Sequence, residues 1–233
     1  MKAKIIKTVH IEAAVRISSN QGCGSSYTGS RYRIDLVAEG EISETIGWVV
    51  DYADLKNLFE PVRRRLDHHC LSDVEGLESD CSPKALERWI NAQLEPWPEW
   101  FAGVRVFPPE PRAFSMCHLS PEPDEGLPRR AMFTFSAAQS LPQLQAGHPC
   151  REVHGHTYTL EIACKDGELP PEEGEHLFQR LHGQYLNIVP GLEQSTAERI
   201  AVWVWQFLEH RGVAPTLIGV QETPNNRCYY RGE

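Results

Sequence analysis

Two stretches of this chain follow one pattern. LDHHCLSDVEGLE (66–78) lies over LHGQYLNIVPGLE (181–193) at a constant offset of 115. Leu66, Leu71, Val74, Gly76, Leu77 and Glu78 meet identical residues at Leu181, Leu186, Val189, Gly191, Leu192 and Glu193. Upstream, IEAAV (11–15) lies over FSAAQ (135–139); downstream, ALERWINAQL (85–94) lies over RIAVWVWQFL (199–208). The order of elements is the same in both halves. This reads as a tandem duplication whose repeat is far longer than a solenoid period. The seam LSPEPDEGLPRR is proline-rich and acidic, a natural linker over 119–130 between units of 1–118 and 131–233.

Each half reads strand, strand, helix, helix, strand. In the first, strands are expected over 3–18, 31–43 and 102–107. Leu55, Leu58, Phe59, Val62 and Leu66 stand at helical spacing, with Asp51 as cap and Pro61 as a bend. The second helix is expected over 83–94. In the second half, strands are expected over 131–142, 153–164, 216–222 and 227–231, and helices over 173–187 and 196–210. Ser195 and Glu198 have the spacing of a capping box. Antiparallel strand pairs with helices on one face give an α+β unit, present twice.

Composition excludes several classes. The net charge of −9 over 233 residues, without a basic stripe, argues against nucleic acid as partner. The Arg63–Arg65 run reads as a solvated helix face. No apolar run approaches the roughly 20 residues of a membrane span, and MKAKIIKTVHIEAAV lacks the pattern of a signal peptide. Seven cysteines without a CxxC pair indicate neither a disulfide framework nor a Cys₄ zinc site. The expectation is a soluble, cytoplasmic protein.

The chemistry concentrates in AAQSLPQLQAGHPCREVHGHTYTLEI, 137–162. His154 and His156 alternate along a strand, so both imidazoles share a face, half of a zinc chelate. Tyr158, Leu160 and Ile162 continue that face, and the bland reading is a structural histidine pair. Cys150 is an ordinary buried cysteine or, beside a metal, a base or nucleophile. Asp67-His68 is a surface pair or a proton-transfer relay. Glu222 is exposed or grips a guanidine-like ring edge through two hydrogen bonds.

Together, FSAAQSLPQLQAGHPCREVHGHTYTLEI, GWVVDYADLK, LDHHCLSDVEGLE and VQETPNNRCYYRG resemble the 6-pyruvoyltetrahydropterin synthase and 6-carboxytetrahydropterin synthase family. The resemblance covers nearly the whole chain as two family-like units. It implies the T-fold (tunnelling fold), whose units assemble side by side into a β-barrel oligomer. The C-x-x-x-H-G-H spacing looks more like the carboxy-forming, queuosine-pathway branch. By resemblance Cys150 matches the catalytic cysteine, His154 and His156 two zinc ligands, and Glu222 the pterin anchor. The second unit has His182 and Gly183 where the family has Asp and His; the first unit supplies that pair as Asp67 and His68. In turn, the first unit has Val15 at the first ligand position and GSRYRI in place of HGH. Family sites form between neighbouring subunits, so these complementary losses are expected if a contact between the two units builds one site.

The family's first zinc histidine is replaced here by Gln139. Three arrangements follow: zinc held weakly by Gln139, His154 and His156; zinc completed by Cys150 or another histidine such as His148; or no zinc, with Gln139 hydrogen-bonding a ligand or an imidazole. The activity implied is a lyase acting on 7,8-dihydroneopterin triphosphate. The alternatives are a 6-pyruvoyl-type activity or a pterin-binding pseudoenzyme. Arg151 and Arg227 are candidates to receive the triphosphate. The implied cofactor is Zn²⁺, the partner a small pterin, and the assembly a homo-oligomer, three chains giving six units by analogy.

Overall fold

The alternation of apolar residues in KAKIIKTVHIEAAVR places Ile11 and Ala13 on one face of a strand and Glu12 on the other. In the computed structural model, which describes residues 1–17 and 26–232, this strand is β1 (Lys2–Arg16), antiparallel to β2 (Tyr27–Glu41). The expected end of β1 at residue 18 lies outside the described residues. Asp51 accepts a hydrogen bond from the Ala53 N–H and starts α1 (Tyr52–Leu66), which continues through Pro61 and buries Leu55, Phe59, Val62 and Leu66. Next come β3 (His69–Cys70), α2 (Pro83–Gln93) and β4 (Phe101–Phe107). Ser82 caps α2, with Pro83 in its first turn.

The remaining elements are β5 (Met116–Leu119), β6 (Arg130–Gln139), β7 (His154–Cys164), α3 (Pro171–Leu181), α4 (Ala197–His210), β8 (Pro215–Thr223) and β9 (Asn226–Tyr230). The strands form two sheets, ordered β3-β1-β2-β4 and β5-β6-β7-β8-β9. All pairings are antiparallel except β1 with β3. Each sheet packs one face on its own helices, giving two hydrophobic cores, one around Phe59, Ile34 and Leu86, the other around Phe133, Leu160 and Val204. Residues 116–119, at the end of the expected first unit and the start of the expected linker, pair with β6 of the second sheet.

Two expectations are corrected. The third helix ends at Leu181 rather than at 187. His182 leaves the helix extended and Gly183 has φ +75°, so that the Gly183 N–H reaches the Ser136 carbonyl at 2.7 Å and the Ala138 N–H the Gln184 carbonyl at 2.8 Å. Docking onto β6 outweighs helical continuation. The cap of α4 is Thr196, which accepts from the Arg199 N–H at 3.4 Å. Ser195 is fully buried instead, its hydroxyl turned to Asn187.

The sheets touch where β2 passes β7. A Cβ built on Gly155 would lie 2.2 Å from the Gly29 Cα, and one on Gly29 would lie 2.4 Å from the Gly155 Cα. Around this contact, the Ser30 Oγ lies 2.9 Å from Ser136 Oγ and 3.0 Å from Thr157 Oγ1. Backbone lies on backbone, so no side chain can yield. Gly155→Ala is expected to lower stability by about 1–3 kcal/mol or more through overpacking, read as the urea midpoint; an unchanged midpoint would contradict this contact.

Candidate active site

Where α1 ends, the chain is held against β1 at one residue. The Asp67 carboxylate accepts from the Glu12 N–H at 2.9 Å and from Arg63 Nη1 at 2.5 Å. The His68 N–H donates to the Glu12 carbonyl at 2.7 Å. These bonds keep His68 at φ +60°, the one positive φ at a non-glycine among the described residues, a conformation that persists only where neighbours enforce it. Its ring then points across to the second sheet.

There it meets the residues singled out in the second half. The His68 ring centroid is 4.9 Å from that of His154 and 5.7 Å from that of His156. The Cys150 thiol lies near enough to His68 to favour its imidazolium, and His68 Nδ1 is 3.3 Å from Asp67 Oδ1. Asp67, His68, Cys150, His154 and His156, separated widely in sequence, are thus brought together. The Asp67 carboxylate, and then Cys150, raise the His68 imidazolium to about 10 against the opposing effect of burial. Burial alone would raise the Asp67 carboxyl; His68, the Glu12 N–H and Arg63 outweigh it and hold that group below its usual value.

His154 is fully buried and His156 nearly so. Burial, reinforced by His156, lowers His154 to about 3, so it is a neutral imidazole near pH 7. Its Nδ1 lies 2.8 Å from the Glu152 carbonyl, which places the proton there and leaves Nε2 with its lone pair, the second-sphere pattern of a metal-ligating histidine. Both ring nitrogens of His156 are buried without an aligned hydrogen bond. His68, His154 and His156 offer nitrogens within 4.8 Å of one another, a group able to hold a metal ion. Buried, neutral or orphaned imidazoles of this kind fit zinc. A bound metal would have to displace the proton that Asp67 favours on His68.

Gln139 is fully buried at the same end of the sheet. Its amide nitrogen donates to Glu222 Oε1 at 2.6 Å and lies 3.4 Å from His154 Nε2, while its oxygen is buried without a partner. The amide thus presents N–H to the neighbours that a ligand oxygen would face. Glu222 reaches the cluster too, its Oε1 3.4 Å from His156 Nε2. Of the expected arginines, Arg151 bonds the Leu144 carbonyl, and Arg227 lines a small cavity of about 160 Å³ with Glu222. His148 turns its Nδ1 to the Cys150 N–H.

Two functional neighbours went unread in the sequence. Glu12 is 7% exposed and places Oε2 3.1 Å from His156 Nδ1. Arg31 bonds Glu12 through Nε at 2.5 Å and the Glu222 carbonyl through Nη2 at 3.1 Å. It also lines a cavity of about 470 Å³ with Arg33, Arg112, His10 and Phe107. The alternation of β1 and β2 puts Glu12, His10, Arg31 and Arg33 on the face away from the helices, a signal available from pattern alone.

The two shifted histidines act on stability in opposite pH ranges. His154 is depressed, so its contribution is complete above pH 6.5 and is lost as pH falls toward about 3. His68 is raised, so its contribution is complete below pH 6.5 and is lost as pH rises through about 10. Chelator-treated protein should therefore have a urea midpoint that declines on both sides. His154→Gln should flatten the acid limb and His68→Gln the alkaline one; variants with the wild-type slopes would refute these assignments.

The family described as 6-pyruvoyl tetrahydropterin synthase matches residues 4–105 and 129–233. A curated relative from Synechocystis sp., 6-carboxy-5,6,7,8-tetrahydropterin synthase, is 38% identical over 97 residues, covering 39% of this chain and 74% of the relative. Among solved structures, 6-pyruvoyl tetrahydropterin synthase of Caenorhabditis elegans is similar with TM-score 0.38 and 19% identity, covering 52% of this chain and 99% of that one. The Plasmodium vivax enzyme of the same name gives TM-score 0.26 and 13% identity, over 99% and 97%. With both matched segments together spanning most of its length, the chain belongs to the 6-pyruvoyl tetrahydropterin synthase family.

Proposed function

We propose that the chain is a 6-carboxy-5,6,7,8-tetrahydropterin synthase-type lyase acting on 7,8-dihydroneopterin triphosphate, with one site built from two tandem T-fold units. The observation that carries the reading is the meeting of His68, from the first half, with His154 and His156 of the second, Cys150 lying nearby. The name of the Synechocystis relative supports the carboxy-forming product. His154 and His156, with Gln139, would hold Zn²⁺, which would supply Lewis-acid stabilisation of charge developing on the substrate's side chain.

The chain's own groups divide the remaining work. Cys150 moves one proton on the side chain. His68, oriented by Asp67, carries another. Glu222 binds the pterin's N–H edge, and to do so it must release the Gln139 amide. Arg31, Arg33 and Arg112 line, with Glu110, a cavity next to the site, Arg31 bonding the Glu222 carbonyl, and receive the triphosphate. Triphosphate leaves by C–O cleavage and acetaldehyde by C–C cleavage, and one water is consumed to supply the second oxygen of the new carboxylate.

A second reading has a specific observation behind it. The bond from Gln139 to Glu222 occupies the anchor and sets no oxygen toward His154, which favours a pterin-binding protein without turnover. Product analysis by mass spectrometry, with and without added zinc, separates the readings. Synthase activity predicts 6-carboxytetrahydropterin, a loss of at least about 100-fold in kcat for Cys150→Ala or Asp67→Asn, as expected for general acid–base groups, and retained pterin binding. Pterin binding without product would establish the second reading; a 6-pyruvoyl product would reassign the branch.

The sheets end in the strands β3, β4, β5 and β9. Burying such edges favours side-by-side association, and the reading includes a homo-oligomer of three chains, to be checked by light scattering. The six described cysteines are free, in keeping with a cytoplasmic protein, and no helix among the described residues is long and apolar enough to cross a membrane.

A further inference from the structure

Glu12 occupies an unusual place. Its N–H holds Asp67 and its carbonyl holds the His68 N–H, so its backbone docks the relay pair. Its side chain crosses to the other half of the chain. Oε1 is used by Arg31 Nε, whereas Oε2 is buried without an aligned partner, 3.1 Å from His156 Nδ1, itself buried and unpartnered. Two orphaned polar atoms at hydrogen-bond distance, one a carboxylate oxygen and one a ring nitrogen, lack only alignment. Leaving both unpaired is costly, and a small rotation of the imidazole satisfies both.

The matching place in the other half gives an internal comparison. Ala13 pairs with Ser30 in the first sheet as Ala137 pairs with His156 in the second. Ser30 therefore stands where His156 stands, and Ser136, one residue before Ala137, stands where Glu12 stands. These two residues also meet across the sheets, Oγ to Oγ at 2.9 Å. Serine faces serine where no imidazole exists; a carboxylate faces the imidazole where one does. A counterion needed only for Arg31 would have no reason to meet His156.

We infer that Glu12 is the positioning residue of His156: its carboxylate holds the proton on Nδ1 and so leaves Nε2 as the ring's donor atom, directed toward His154 and Glu222. The inference rests on the proposed metal site for its consequence, but the tautomer itself is a property of the metal-free protein. A carboxylate behind a ligating imidazole fixes the ring and raises its basicity, and its loss costs about 10–100-fold in metal affinity.

Two measurements test this. In metal-free wild-type protein at pH 8, two-bond ¹H–¹⁵N correlation of the histidine rings, with His156 assigned by its absence in His156→Gln, should show Nδ1 protonated. A lone pair on Nδ1 overturns the inference, and this reading needs no variant of Glu12 to fold. Titration with Co²⁺, followed by its d–d absorption, should show affinity about 10–100-fold weaker in Glu12→Gln, with the His156 Nδ1 proton signal shifted. Unchanged affinity and an unmoved signal overturn it. Wild-type protein that binds no Co²⁺ while His156 carries its proton on Nδ1 would defeat the metal site and leave the role of Glu12 standing.

Discussion

The contact between Gly29 and Gly155 governs the rest of the molecule. Each half has its own helices and its own apolar core, so each could satisfy its hydrophobic needs alone. What couples them is polar and close-range: backbone against backbone, flanked by Ser30, Ser136 and Thr157. At that separation Glu12 reaches His156, and the His68 ring reaches those of His154 and His156. One methyl group at the crossing would move the sheets apart by enough to break both reaches, because contacts of this kind lose their directionality within a fraction of an ångström.

The same crossing explains why the site tolerates its own instability. It gathers buried carboxylates, imidazoles and a thiol, groups that gain little from burial unless each has a partner. His68 is strained as well. The equivalent position in the second half is Gly183, at φ +75°, with the same backbone bond to β6 that His68 makes to β1. Glycine adopts that conformation without steric conflict. Where an imidazole is required, the chain keeps it at the unfavourable φ and fastens it with Asp67 and Glu12; where none is required, the strain has been relaxed.

Much of this was legible from residues alone. Periodicity located α1, because Leu55, Phe59, Val62 and Leu66 are spaced for one face and Asp51 supplies a local cap. The strand β7 was legible from the alternation of His154, His156, Tyr158, Leu160 and Ile162. The end of α3 was not, since His182 and Gly183 read as a continuing helix until β6 draws them away. Ser195 misled for a similar reason: its spacing to Glu198 fits a cap, but a buried partner, Asn187, claims its hydroxyl. In the site, resemblance located Cys150, the two histidines and the Asp-His pair. It did not locate Glu12 or Arg31, whose partners in the second half, His156 and the Glu222 carbonyl, lie more than 100 residues away. Nor did it foresee that Gln139 turns its nitrogen toward Glu222, an orientation decided by the carboxylate it meets.

Because Asp67-His68 and Cys150 lie on one chain, their meeting does not depend on how often two molecules collide. Tethered groups experience an effective concentration on the order of millimolar for short flexible connections, and a packed crossing such as Gly29 on Gly155 removes even the residual search. A site divided between separate subunits disappears on dilution. The crossing described here makes its central contact intramolecular, leaving any larger assembly free to serve the exposed strand edges instead.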